Sequence, residues 1–187
     1  MPLKFVTYRG TQGNLSWLNP AVFFTHRNPR VDAIVCNCNA VHENLSSLGI
    51  KESKLHTIYK GHDIRWYNAS GTIKRSELGF AASDYVVGMI ANIRPLKGVD
   101  ILFEALAKLN SRAPIKCLLV GDGDRNYLSS LIAKYNLEKI VNHVGFRRDV
   151  PDLIHDCDVT VVASVRREGV PRAMIESMAQ AIPVVAT

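Results

Sequence analysis

The chain predicts an α/β fold, a parallel β-sheet with crossover helices, and three features of its 187 residues point there. Short apolar runs alternate with longer stretches whose apolar residues recur every three or four positions. Tyr85-Val-Val-Gly-Met-Ile90 and Lys116-Cys-Leu-Leu-Val120 read as strands, and the apolar run Pro183-Val-Val-Ala-Thr187 as a buried parallel strand. Cations cluster just after such runs, where the loops of an open parallel sheet line a ligand crevice.

The elements read in order. Lys4-Phe-Val-Thr-Tyr8 is a strand, Asp32-Ala-Ile-Val-Cys36 a second, Val41 to Leu48 a helix ended by Gly49, and Lys54 to Tyr59 a strand. Lys60 to Ser83 carries Gly61, Gly71 and Gly79 and little periodicity, so residues 67–83 are read as an interdomain connection between a first domain at 1–66 and a second at 84–187. In the second domain Tyr85 to Ile90 is a strand and Val99 to Leu109 a helix with Leu102, Ala105, Leu106 and Leu109 on one stripe. Lys116 to Val120 is a strand, and Leu128, Leu131, Ile132 and Tyr135 mark the next helix. Ile140 to Phe146 is a strand, Val150 to Cys157 a short helix and Val159 to Val162 a strand. A helix from Pro171 to about Ala181 and a strand at Val184 follow. Connections of this kind make right-handed crossovers. The last strand has no following element to cover it and the first lacks the usual opening unit, so a fragment of a longer protein is expected.

Composition narrows the partners. The net charge of +6 favours acidic ones. Arg94, Lys97, Arg125, Arg147, Arg148, Arg166, Arg167 and Arg172 sit in post-strand loops rather than on one helix face or in a tail. Few aromatics accompany them, which argues against single-stranded nucleic acid. No apolar stretch has the length of a membrane span, and no G-x-S-x-G elbow is present. Cys36, Cys38, Cys117 and Cys157 lie in or beside apolar runs without zinc or C-x-x-C spacing, so buried free thiols in a reducing cytoplasm are expected. The histidines show no metal spacing, and His62 in Gly61-His-Asp63 reads as a hinge residue.

Four segments carry chemistry. In Glu168-Gly-Val-Pro-Arg-Ala-Met-Ile-Glu176 two carboxylates stand eight positions apart across a helix start. Pro171 suits a first helical position, Gly169 permits close approach to a ligand, and the free N–H groups of the first turn can face an anion near Arg172. A solvated helix start with acidic residues near its positive end is the plainer alternative. Arg94-Pro-Leu-Lys97-Gly98 offers two cations that could stabilise a departing diphosphate. Gly121-Asp-Gly-Asp124 sits where a nucleotide-binding turn belongs. Asn126 replaces the third glycine of a dinucleotide fingerprint, which argues against NAD. Its aspartates could hold a divalent metal, but Asp156-Cys-Asp158 repeats the pattern elsewhere. In Gly145-Phe-Arg147-Arg-Asp149-Val-Pro151, Asp149 reads as an N-cap, while Arg147 or Arg148 could reach toward phosphates.

Together these segments resemble the retaining glycosyltransferases of family 4 (glycosyl transferases group 1), whose GT-B fold sets two Rossmann-like domains face to face. Met89 to Asp100, Leu119 to Gly123, Val144 to Pro151 and Glu168 to Glu176 follow the family's order and spacing. Ile58-Tyr-Lys-Gly-His-Asp63 resembles its interdomain link. The resemblance implies transfer of a sugar from a nucleotide-diphosphate donor of UDP or GDP type to a saccharide or lipid-linked acceptor hydroxyl, with retention and without a metal or other cofactor. It places Glu168 at the donor sugar, Glu176 on the ribose, and Lys97 with Arg94 on the diphosphate. Gly121 and Gly123 belong to the nucleotide turn, and the main chain of Gly169, Val170, Pro171 and Arg172 adds to diphosphate binding. Two positions depart from the pattern. Asn92 occupies the place of the usual arginine, with Arg94 two residues later, and Arg9 stands where many relatives carry a histidine.

The implied role is a hexosyltransferase of polysaccharide, lipopolysaccharide or glycolipid biosynthesis, cytoplasmic and peripheral at the inner membrane surface. With the acceptor platform missing, little transferase activity is expected of this chain alone. A sugar-nucleotide-binding module without chemistry, or a nucleotide-sugar epimerase on the same fold, are the alternatives.

Overall fold

A computed structural model describes residues 3–13, 19–71, 73–109, 114–166 and 168–187. These residues form two compact units, one of residues up to His62 together with 166–170, the other of Asp63–Val165 and Pro171–Thr187. The described residues make two sheets, both wholly parallel.

The first unit is built on β1 (Val6–Arg9), β2 (Ala33–Cys36) and β3 (Leu55–Thr57), in that spatial order. Helix α1 (Pro20–Phe24) follows β1, and α2 (Asn39–Ser47) crosses from β2 toward β3. Sequence periodicity missed α1 because it is a single turn. Its signal is local: Asn19 accepts a hydrogen bond from the Ala21 N–H at 2.9 Å, and Pro20 fills the first helical position. Val41 and Leu45, one turn apart on α2, close over Val31, Ile34, Cys36, Ile50 and Leu55, and Val170 packs on this cluster from the distant part of the chain. The Ile50 N–H returns to Leu45 O and the Gly49 N–H to Ser46 O, closing the helix end with an apolar contact.

The second unit contains β4 (Tyr85–Ile90), α3 (Val99–Leu109), β5 (Ile115–Val120), α4 (Arg125–Tyr135), β6 (Val141–His143), α5 (Val150–His155), β7 (Val159–Val162), α6 (Arg172–Ala179) and β8 (Val184–Ala186). The sheet order is β6-β5-β4-β7-β8. Successive residues of its central strands serve opposite cores. Val87, Met89, Cys117 and Leu119 face Leu102, Phe103 and Leu106 of α3 and Leu128 and Leu131 of α4. Val86, Leu118 and Val120 face Leu153 of α5, Cys157, Leu78 and Phe80. Burial on both faces explains the uninterrupted apolar runs.

Residues 63–83 contain two 3-10 turns, Ile64–Tyr67 and Arg75–Leu78, within the second unit. Tyr67 is buried, and the Arg75 guanidinium donates to Asp158 at 2.9 Å while Asp158 also accepts from the Val86 N–H at 2.7 Å. Such short turns leave no repeating stripe for periodicity to register.

Several element limits differ from the sequence expectation. The strand expected over 140–146 pairs only through Val141–His143, since Gly145 turns the chain with φ +69°. Pro171 stands at the N-cap of α6, with an extended ψ of 128°, and the helix begins at Arg172. It ends at Ala179, and Ala181 takes a left-handed φ of 57°.

All four cysteines are free and buried. Burial holds the Cys117 and Cys157 thiols up at about 12, so both are inert at neutral pH.

Candidate functional site

In the second unit the chain runs from β4 outward to β5 on one side and to β7 on the other, so the order reverses between β4 and β7. Ligands of open α/β sheets bind at the carboxyl ends of strands flanking such a reversal. Lys97 and Gly98 lie in the loop that leaves β4 there. Gly98 has φ +69°, and a Cβ at this position would come within 1.9 Å of Ala163 O just beyond β7. The Val165 N–H donates to Leu96 O at 3.0 Å. The Lys97 loop is thus seated on the end of β7. Lys97 is half-buried, whereas Arg94 and Asn92 are exposed.

The loop after β5 is joined to the loop after β4. The Ile93 N–H donates to Asp122 O at 2.7 Å, and Ile93 and Gly123 form a parallel bridge. A Cβ on Gly121 would sit 2.1 Å from Ala91 O, and one on Gly123 2.3 Å from Ile93 O. Both glycines are therefore required by the approach of another backbone segment, a reason the sequence did not disclose. The Gly121 N–H donates to Gly145 O at 2.8 Å, bringing the loop after β6 into the same group.

Asp124 does not point to a metal. Its Oδ1 caps α4, accepting from the N–H groups of Asn126 at 2.9 Å and Tyr127 at 3.1 Å. Among the described residues no group of three His, Cys, Asp or Glu side chains is arranged to hold a metal ion.

Asp149 requires a correction. It occupies the N-cap position of α5, but its side chain makes no cap hydrogen bond. The Arg147 guanidinium takes both carboxylate oxygens instead, Nε reaching Oδ1 at 2.8 Å and a terminal nitrogen reaching Oδ2. This bidentate pairing holds the Asp149 carboxyl below its ordinary range, with burial opposing. Two charges close in sequence satisfied one another more strongly than a backbone N–H could satisfy one of them.

Helix α6 carries Glu176 on its inner side. Glu176 is only 6% exposed and accepts from Arg172 Nε at 2.7 Å, one turn earlier. The outward-lying Arg172 also stands over the Tyr67 ring at 5.8 Å. Next to Glu176, Ser177 is fully buried and its Oγ accepts from Thr160 Oγ1 at 2.8 Å, fastening α6 to β7.

Glu168, Gly169 and Val170 belong to the first unit. Glu168 is half-buried in a loop, and Gly169 lies against the carboxyl ends of β1 and β2. Arg9, at the end of β1, donates from Nε to Thr11 O at 2.8 Å. Arg94, Lys97, Gly121, Gly123, Arg147, Pro171, Arg172 and Glu176 belong to the second unit, and Arg167 lies outside the described residues.

The family model for "Glycosyl transferases group 1" matches residues 71–187, more than half of the chain. The chain belongs to this family. Among curated relatives, the lipopolysaccharide core biosynthesis glycosyltransferase LpsE of Rhizobium meliloti is 30% identical over 162 residues, covering 83% of this chain and 44% of LpsE. The N-acetyl-alpha-D-glucosaminyl L-malate synthase of Bacillus anthracis is 28% identical over 141 residues, covering 74% and 37%. Among solved structures, Anabaena Alr3699/HepE in complex with UDP-glucose superposes with a TM-score of 0.85 at 30% identity, over 98% of this chain and 53% of HepE. WaaG, a glycosyltransferase involved in lipopolysaccharide biosynthesis, shares the fold with a TM-score of 0.74 at 17% identity. The chain spans less than half the length of these curated relatives and about half of HepE. Among the described residues no helix is long and apolar enough to cross a membrane.

Proposed function

We propose that this group 1 chain carries the donor-binding machinery of a retaining glycosyltransferase of family 4, moving a hexose from a nucleotide diphosphate to a hydroxyl of a saccharide or lipid-linked acceptor. The observation that carries the reading is the seating of the Lys97 loop on the end of β7, at the reversal of strand order. In this reading Lys97 and Arg94 bind the diphosphate and stabilise the charge that grows on it as the sugar departs. The Arg172 side chain and the N–H groups of Gly169, Val170 and Arg172 add to that stabilisation. Glu176, buried on α6, accepts hydrogen bonds from ribose hydroxyls, and Glu168 contacts the donor sugar. Gly121 and Gly123 shape the nucleotide turn, and Arg147, fixed by Asp149, offers its remaining donors to the phosphates.

Metal-free chemistry fits the commitment of Asp124 to its helix cap and the supply of cations around Lys97. The UDP-glucose complex of HepE makes UDP-sugars the first donors to try. The named role of LpsE favours polysaccharide, lipopolysaccharide or glycolipid synthesis. The charge of +6 suits work at an anionic inner membrane surface from the cytoplasm.

The test is a thermal-shift panel of the chain with UDP, GDP and ADP and their sugar conjugates, beside Glu176→Ala and Lys97→Ala. A ligand at about 100 times its Kd adds about 2.7 kcal/mol. One nucleotide series should raise the midpoint of the wild type and of neither variant. A cooperative transition indifferent to every nucleotide would sink the proposal.

A further inference from the structure

At the carboxyl end of the first unit's sheet, one side chain joins the end of β1 to the loop that carries Glu168. Asn37 follows β2 directly and is 6% exposed. Its backbone N–H donates to Arg9 O at 3.2 Å and its side-chain Nδ2 to Gly10 O at 2.8 Å, so it holds the end of β1 twice. The Nδ2 bond also sets the orientation of the amide, because the flipped form would press two carbonyl oxygens together. Asn37 Oδ1 is then buried with no hydrogen-bond partner among the described residues. A buried acceptor left unmade is costly and calls for a reason.

Gly169, adjacent to Glu168, covers this amide. A Cβ at position 169 would lie 2.5 Å from Asn37 Nδ2, 3.0 Å from its Oδ1 and 2.5 Å from Gly10 O. Only glycine lets the loop settle there, and Val170 continues the contact into the apolar cluster below. The loop carrying Glu168 therefore rests on the Asn37 carboxamide, whose free acceptor faces it.

We infer that Asn37 is a positioning residue for sugar transfer, acting through the Glu168–Val170 loop. Its Nδ2 locks Arg9 and Gly10 at the end of β1, and its Oδ1 receives a backbone N–H of the loop when the donor sugar draws Glu168 into place. The inference rests on the donor-site reading above. Asn37 contacts the loop that carries Glu168, the residue assigned to the sugar, while Arg94, Lys97, Arg172 and Glu176, assigned to the nucleotide, belong to the second unit.

The experiment combines amide hydrogen exchange of residues 168–170 with binding of UDP and of UDP-glucose, for the wild type, Asn37→Ala, Asn37→Asp and Gly169→Ala. Without ligand, exchange of the loop amides should rise about tenfold or more in all three variants. UDP should bind Asn37→Ala and Asn37→Asp within about twofold of the wild type, whereas the advantage of UDP-glucose over UDP should be lost; Gly169→Ala, whose N–H is assigned to the diphosphate, is followed by exchange alone. Gly169→Ala keeps Asn37 intact and so covers the case in which a change at 37 disturbs the sheet. Unchanged exchange overturns the inference. So does raised exchange with an unchanged UDP-glucose advantage, or a wild type that binds both ligands equally. A wild type that binds neither refutes the donor-site reading instead, and the exchange measurement alone then decides whether Asn37 seats the loop.

Discussion

Gly98 lies so close to Ala163 that a single methyl group at position 98 would come within 1.9 Å of the Ala163 carbonyl oxygen. The backbone there is left-handed, with φ +69°, and the neighbouring Val165 N–H reaches Leu96 O. Two strand ends are thereby locked together at the point where the sheet changes direction.

Gly98→Ala should consequently lose stability twice over, through the left-handed conformation and through displacement of the loop. The expected cost is at least about 2 kcal/mol. Urea denaturation measures it, and the thermal shift with UDP should fall in parallel because Lys97 moves with the loop. A variant of wild-type stability would show that the loop is not seated as described.

The two aspartates that precede helices are predicted to behave differently. Asp124 makes two N–H contacts at the start of α4, so Asp124→Ala should cost about 1 kcal/mol. Asp149 makes none, its carboxylate being engaged with Arg147. Asp149→Ala should cost less than Asp124→Ala and should release Arg147, a difference that chemical denaturation of the two variants side by side resolves. Equal losses would restore the capping role to Asp149.

His26 gives the first unit a pH dependence. It is 7% exposed, its Nδ1 is 3.4 Å from Thr7 Oγ1, and burial, aided by the charge of Arg9, lowers its pKa. The folded state thus holds the neutral ring below the pH at which the unfolded chain takes up a proton. Between the folded and unfolded values the unfolded state binds more protons, so stability rises with pH across that window. The contribution is fully present above the ordinary histidine value of about 6.5 and is lost as pH falls below it. Melting temperatures followed from about pH 8 down to about pH 5 should decline, and His26→Gln should flatten that part of the curve. An equally steep decline in the variant would assign the effect to other groups.

Much of the second unit was legible because its signals are local. The strand from Tyr85 to Ile90 and the helix from Val99 to Leu109 have the limits their patterns predict, since residues buried on two faces must be apolar and a helix covering one face must repeat at three and four. Shorter elements were less so: in the first unit α1 is one turn long, and in the second the turns at Ile64–Tyr67 and Arg75–Leu78 repeat nothing. Among the residues of the proposed site, Lys97, Gly121, Gly123 and Glu176 could be singled out by type and spacing. Asn37 could not, because its signal is an unpaired buried oxygen and a glycine 132 positions later in the chain.

The order of the strands and of the helices longer than one turn, the apolar faces and the clustering of cations after strands followed from the sequence by itself, for each is written within a dozen consecutive residues. Tertiary structure decided which groups meet. It gave Asp149 to Arg147 rather than to its helix, and Gly121 and Gly123 to the backbone of residues 91–93. It also joined residues 166–170 to the first unit, although their neighbours on both sides belong to the second. Those outcomes depend on distances of two to three ångströms between segments far apart in the chain, where steric fit and competition among hydrogen-bond partners, rather than periodicity, select the arrangement.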